Sequence, residues 1–268
     1  MLSRPYVSFS DDAEARELFY RASDLIDGNK DEAKDILIAA SDKGCTSSMV
    51  LLGNMLIDGT DDEKKDALEL YRRAYEMGNS MGSRNLGYCY ALGMGVEQDK
   101  SKAAEWYTIS AEAGNPKAQC NIGVLYEYGR GVEQDYGKAA EWFRISAENG
   151  YHRGRTNYAC CLRDGKGVEK DPEKAAYWFE QSGSARAKRL LAIMYMEGDG
   201  IGKDLTRARE LLEDASSKDR KAMFILGEMV FDEDRERAVS LYRRSAEKGY
   251  KDAIDRLAEL GLEMPQKA

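Results

Sequence analysis

The sequence predicts an all-α protein made of tandem two-helix units, and three observations carry the prediction. Trp106, Trp142 and Trp178 lie 36 residues apart, and Asp99, Asp135 and Asp171 keep the same interval. The segments GMGVEQDKSKAAEWY, GRGVEQDYGKAAEWF and GKGVEKDPEKAAYWF are near copies, with GDGIGKDLTRARELL a weaker fourth. Apolar residues inside each unit recur at helical spacing, as in Ala118, Ile122 and Tyr126. A fixed period of this size marks a repeat architecture, in which each unit buries its apolar face only against its neighbours.

The first helix of each unit carries LGYCY (86–90), IGVLY (122–126), YACCL (158–162), LAIMY (191–195) or LGEMV (226–230). A glycine near its end (Gly93, Gly129, Gly165, Gly198) matches a left-handed C-terminal stop. The second helix opens on an N-cap aspartate (Asp99, Asp135, Asp171, Asp204). Pro172 falls at the first helical position, where its missing N–H costs nothing. The buried face of the second helix is expected to run through Ala103, Trp106 and Ile109, or Ala139, Trp142 and Ile145. The three tryptophans would then form a ladder between second-type helices.

The same phase weakens toward both ends. Residues 44–78 and 219–249 form units with shorter connections, residues 11–27 supply a helix partner for 32–44, and 250–261 read as a last helix. Between Trp178 and Ala192 the chain is three residues shorter than between Trp142 and Ala159, so one turn is tightened. About fifteen helices follow, in one solenoid over 11–262 between tails at 1–10 and 263–268. Its units fall near 11–43, 44–77, 78–113, 114–149, 150–183, 184–218 and 219–249, with a capping helix at 250–261.

Composition narrows the function. The 268 residues are 33% charged, with 40 Lys+Arg against 48 Asp+Glu and a net charge of −8. An acidic balance argues against nucleic-acid binding, which draws on clustered positive charge. No stretch approaches the roughly 20 apolar residues of a membrane span, and the opening MLSRPYVSFSDDAE has no long apolar segment. A cytoplasmic protein is expected. One histidine, His152, excludes multi-histidine metal sites, and five cysteines without a C-x-x-C pair suit neither zinc nor a disulfide framework. No metal and no cofactor are expected.

The Gly-x-Gly-Val loops lack the strand context of a dinucleotide fingerprint and the Lys-Ser/Thr of a P-loop, so they read as turns. Cys161 shares the phase of Cys89 and Leu125 and reads as a small core residue; His152 reads as a surface residue. Asn85, Asn121 and Asn157 recur at one position, where they either hold a ligand backbone or bridge neighbouring helices.

The run Ala118-Gln-Cys-Asn-Ile122-Gly123-Val-Leu-Tyr126-Glu-Tyr-Gly129-Arg-Gly131-Val132-Glu-Gln-Asp135-Tyr-Gly-Lys138-Ala139-Ala-Glu-Trp142 resembles the Sel1-like repeat, a relative of the tetratricopeptide repeat. The resemblance covers roughly residues 33–260. Departures are Gly82 and Gly154 where alanine is usual, Ala159 and Ala192 in place of glycine, and short loops near 60 and 233. It implies a right-handed superhelix of antiparallel helix pairs whose first helices line the concave side. It also implies a non-enzymatic scaffold or adaptor for a protein or peptide partner, with oligomeric state left open. The alternative is a weak hydrolase of the β-lactamase-like kind, linked to secreted cysteine-rich members. Their regularly spaced cysteine pairs have no counterpart in this sequence, and no signal peptide is expected.

By tetratricopeptide geometry, groove positions lie five before, two before, two after and five after the Leu of Leu-Gly. They place Arg84, Tyr88, Lys117, Arg153, Thr156, Arg163, Arg186 and Arg189 in the groove, alongside Met81, Ala91, Cys120, Val124, Glu127, Cys160, Ile193 and Met196. Six first-helix segments together carry +4, leaving −12 elsewhere. A positive strip of Arg84, Lys117, Arg153, Arg163, Arg186 and Arg189 would recognise acidic segments or a C-terminal carboxylate. Alternatively, these residues pair with carboxylates of neighbouring helices.

Overall fold

The structure, a computed structural model, describes residues 12–263. The tail expected at 1–10 lies outside the described residues, as does the one at 263–268 apart from Glu263. Fifteen α-helices and no strands occur among the described residues. The chain divides into two compact units, Met1–Trp142 and Phe143–Ala268.

The first unit holds α1 (Ala13–Leu25), α2 (Lys30–Asp42), α3 (Thr46–Leu56), α4 (Asp61–Glu76), α5 (Ser80–Leu92), α6 (Lys100–Glu112) and α7 (Pro116–Tyr128). Helix α8 (Tyr136–Glu148) carries the division between the units. The second unit continues with α9 (His152–Asp164), α10 (Pro172–Ser182), α11 (Ala185–Glu197), α12 (Leu205–Ala215), α13 (Arg220–Val230), α14 (Arg235–Glu247) and α15 (Lys251–Glu259). Within each unit every helix packs on the next along the chain, and α11 also touches α13. Short connections of this kind join antiparallel neighbours.

Local chemistry sets the helix ends. Asp99, Asp171 and Asp204 accept backbone N–H groups at the starts of α6, α10 and α12, and Asp135 accepts from Lys138 N at 2.9 Å. Gly93, Gly129, Gly165 and Gly198 close α5, α7, α9 and α11 in the left-handed conformation. The shortened turn after Trp178 also has a local cause. Helix α10 is 11 residues long where α6 and α8 have 13, and Gly183 ends it two residues before α11.

The second-helix stripe differs from expectation. Ile109 is 37% exposed and Ile145 half-buried, while Tyr107, Ser110 and Ala111 are buried on α6. Phe143, Ser146 and Ala147 are buried in the equivalent places of α8. Small residues allow close helix approach, so they occupy the tightest contacts, and the tryptophans stand on the flank. Trp106 packs edge-on to Tyr75 of the preceding second helix, α4, rather than on another tryptophan. Trp178 instead packs on Tyr158 of α9 and on its neighbour Tyr177.

The Leu-Gly motif has a steric cause. A Cβ on Gly53 would lie 2.5 Å from Tyr71 Cε1, one on Gly87 2.8 Å from Tyr107 Cδ1, and one on Gly227 2.5 Å from Tyr242 Cε1. In these three pairs the ring of the second helix therefore lies against the bare backbone of the first. The unit with Ala159 nonetheless keeps a buried ring, Phe179, at the same position. In the unit that has Ala192, the residue at the ring position is Leu212, and both are fully buried. Gly82 and Gly154 mark a second close approach: added Cβ atoms would meet Tyr71 O at 2.4 Å and Ser146 Oγ at 2.3 Å. Gly131 in a Gly-x-Gly-Val loop has φ 76°, and a Cβ there would lie 2.1 Å from Lys100 O. This loop glycine makes a turn that lies against the start of α6.

Candidate functional site

In the first unit, Arg84 on α5 belongs to a network rather than to an open strip. Its Nη1 donates to Asn85 Oδ1 at 2.8 Å, Asn85 Nδ2 donates to Asn54 Oδ1 at 3.0 Å, and Tyr71 Oη donates to the same oxygen at 2.9 Å. These bonds tie α3, α4 and α5 together, and Asn85 is only 6% exposed. Burial pushes the Tyr71 phenol above its ordinary range and that of Tyr107 up to about 12. Asn85 thus takes the bridging role, and Asn54 and Tyr71 complete a polar cluster that the repeat pattern left unmarked.

The exposed part of this unit is different. Tyr88 is 44% exposed, and Lys117, second residue of α7, is exposed and makes no ion pair among the described residues. Leu92 and Tyr128, both six residues after the Leu/Ile of the motif, are exposed as well. The sequence reading stopped one residue short of them.

In the second unit the five expected contacts, Arg153, Thr156, Arg163, Arg186 and Arg189, separate by repeat position. The position two before the motif is closed. Thr156 is 2% exposed, donates to His152 O at 3.0 Å and lies 2.8 Å from Ser182 Oγ, so it joins α9 to the end of α10 and cannot face a partner. Cys120 at the same position in the first unit is equally buried. Arg189, also there, donates through Nε to Asp219 Oδ2 at 3.0 Å. Arg163 is held by the adjacent Asp164 through two bonds of 2.7 and 3.0 Å, and that contact raises its guanidinium pKa. For Arg163 and Arg189, internal pairing is what the structure contains.

The position five before the motif is open. Arg153 on α9 and Arg186 on α11 are exposed second residues of their helices, and neither makes an ion pair among the described residues. Arg186 donates only to Asn157 Oδ1, at 3.3 Å. Lys221 is the same residue of α13 and is also exposed. Its phase was legible, because it lies five before Leu226 of Leu226-Gly227.

The remaining candidates are structural. Cys45, Cys89, Cys120 and Cys161 are buried and Cys160 is half-buried; burial pushes the Cys89 thiol up to about 12. His152 is exposed, with its ring edge-on to Tyr151 at 5.1 Å. Among the described residues, no group of three His, Cys, Asp or Glu is placed to hold a metal, and no helix is long and apolar enough to cross a membrane.

Helix pairs repeated in this way along the chain define a repeat protein of the α-solenoid class. The Sel1 repeat pattern matches residues 8–27, 46–79, 80–115, 116–151, 153–186, 185–219 and 221–250, and the chain belongs to the Sel1 repeat family. Sel1 repeats typically mediate protein–protein interaction. Among solved structures, the chain is similar to c5321, a protective antigen present in uropathogenic Escherichia coli strains that displays an SLR fold. The two are 29% identical with a TM-score of 0.75, over 92% of this chain and 56% of that one. This chain therefore spans little more than half the length of that relative. It is also similar to a Sel1 repeat protein from Oxalobacter formigenes, at 28% identity and a TM-score of 0.73 over 79% of this chain and 89% of that one. Immunity protein Pa5087 from Pseudomonas aeruginosa, 18% identical with a TM-score of 0.55 over 78% of this chain and 84% of that one, shares the fold. No curated protein sequence matches the chain.

Proposed function

We propose that the protein is a non-enzymatic scaffold that holds an acidic polypeptide segment or a C-terminal carboxylate against its first-type helices. The observation that carries this reading is the open repeat position. Lys117 in one unit, and Arg153, Arg186 and Lys221 in the other, are exposed cations at the same place of their helices. A cation without a local carboxylate keeps its full attraction for an incoming one, and Arg offers a bidentate fork. Tyr88 and Tyr128 add exposed aromatic surface, the kind that supplies binding energy at interfaces. A cytoplasmic setting goes with this reading, in which the buried cysteines serve as small core residues.

Affinity capture from a lysate followed by mass spectrometry tests the proposal, comparing the native chain with R153E/R186E. Both side chains are exposed, so the variant keeps its fold, which circular dichroism verifies. Loss of specific polypeptides from the captured set is expected; an unchanged set overturns the reading.

A further inference from the structure

The two units differ in charge. Residues 1–142 hold 16 Lys+Arg and 25 Asp+Glu, whereas residues 143–268 hold 24 and 23. In the second unit the cations gather in one place. A cleft of about 460 Å³ between the starts of α11 and α13 and the end of α14 is lined by Arg186, Arg189, Lys218, Arg220, Lys221 and Lys248. Its single carboxylate is Asp219, already engaged by Arg189 at 3.0 Å and by the N–H groups of Lys221 and Ala222 at 2.8 and 3.0 Å. Asp214, beside the neighbouring hollow that Lys218 also lines, is taken by Lys188.

Five cations remain. Arg186, Lys218, Arg220, Lys221 and Lys248 are all exposed and form no ion pair among the described residues. Arg220 gives Nη1 to Lys248 O at 2.7 Å, which fixes its stem against the end of α14 and leaves its other N–H groups for a ligand. Elsewhere in this unit long basic side chains mostly have carboxylates, as in Arg209–Glu233, Arg237–Glu213 and Arg256–Glu228. Cations placed so close together repel one another unless an anion joins them, and the repulsion is relieved when one does.

We propose that this cleft is a binding site for a run of consecutive acidic side chains in a polypeptide. The inference deepens the proposed function and takes from it only that the ligand is a polypeptide. A run is required because five cations within one cleft exceed what one carboxylate neutralises. Three of the five are lysines, whose mobile ammonium groups follow several carboxylates without demanding one fixed geometry.

The test uses the full chain and a fluorescein-labelled octaglutamate probe, read by anisotropy at low ionic strength. The native chain is expected to bind, with affinity falling as salt rises. K218E/K221E/K248E is expected to weaken binding by about tenfold or more. K30E/K100E/K203E reverses three exposed lysines that do not line the cleft, changes net charge equally, and is expected to cost less than about twofold. Equal losses in the two variants, or no binding by the native chain, overturn the cleft and leave the scaffold reading to its own capture experiment. Binding of tripolyphosphate without octaglutamate also overturns it, in favour of a free phosphate site. Conversely, capture that ignores R153E/R186E overturns the scaffold reading while the octaglutamate result stands.

Discussion

Arg189 and Asp219 form an ion pair across two successive first helices, with side chains only 13% and 14% exposed. The Asp219 carboxylate simultaneously caps α13. Asp219→Ala removes both functions and leaves the guanidinium without its partner, so a loss of about 2–4 kcal/mol is expected. Asp219→Asn keeps a good cap and should cost less. Chemical denaturation of the two variants checks the order; equal losses would mean that the ion pair alone accounts for Asp219 and the cap contributes nothing.

The approach of Tyr242 to Gly227 gives a second expectation. Gly227→Ala drives a methyl toward a ring atom 2.5 Å away and should destabilise by about 1–3 kcal/mol. Adding Tyr242→Leu recreates the combination found at Ala192 and Leu212, so the double variant should lose less than the sum of the single ones. Additive losses in a double-mutant cycle would deny the steric account.

Buried phenols and a thiol set the alkaline limit. Cys89 and Tyr107 are pushed to about 12 by burial. The unfolded chain therefore loses these protons first, and stability present below pH 9 falls as the pH rises toward 12. Melting temperature against pH should decline over that window, and Cys89→Ala should remove part of the decline. A flat profile from 9 to 12 would contradict the burial of these groups.

The acid limb has the opposite origin. Backbone N–H groups and then the neighbouring lysine charge hold Asp99 and Asp135 below the usual carboxylate range, and for Asp171 the Lys174 contact leads. Their contribution is full above the unfolded carboxylate pKa and is lost as pH falls through the lowered folded values. D99N/D135N/D171N keeps the caps without the titration, so its melting temperature should fall less steeply in acid than that of the native chain.

Much of the fold was legible because its punctuation is chemical. Asp99, Asp171 and Gly129 announce helix ends through groups that only a few residue types can satisfy. The buried face of α6 was misread because hydrophobicity ranks Ile109 above Ser110, whereas packing at a close crossing selects small side chains. Site positions failed for a related reason. Thr156 and Arg189 share a repeat position with Cys120, where neighbouring helices meet, and polarity at that position serves the junction. Lys221 obeys the same register as Arg153 and Arg186 and was recoverable; the pairing of Arg163 with Asp164 depends on rotamers that sequence does not specify.

Site-specific photo-crosslinking tests the central claim most directly. A benzophenone side chain is placed singly at Lys117, Arg153 or Arg186 on first helices, or at Tyr177, which is 54% exposed on second helix α10. The account predicts that captured polypeptide crosslinks from first-helix positions within a unit, as from Arg153 and Arg186, and not from Tyr177. Crosslinks from Tyr177 alone, or equally from all four, would contradict it.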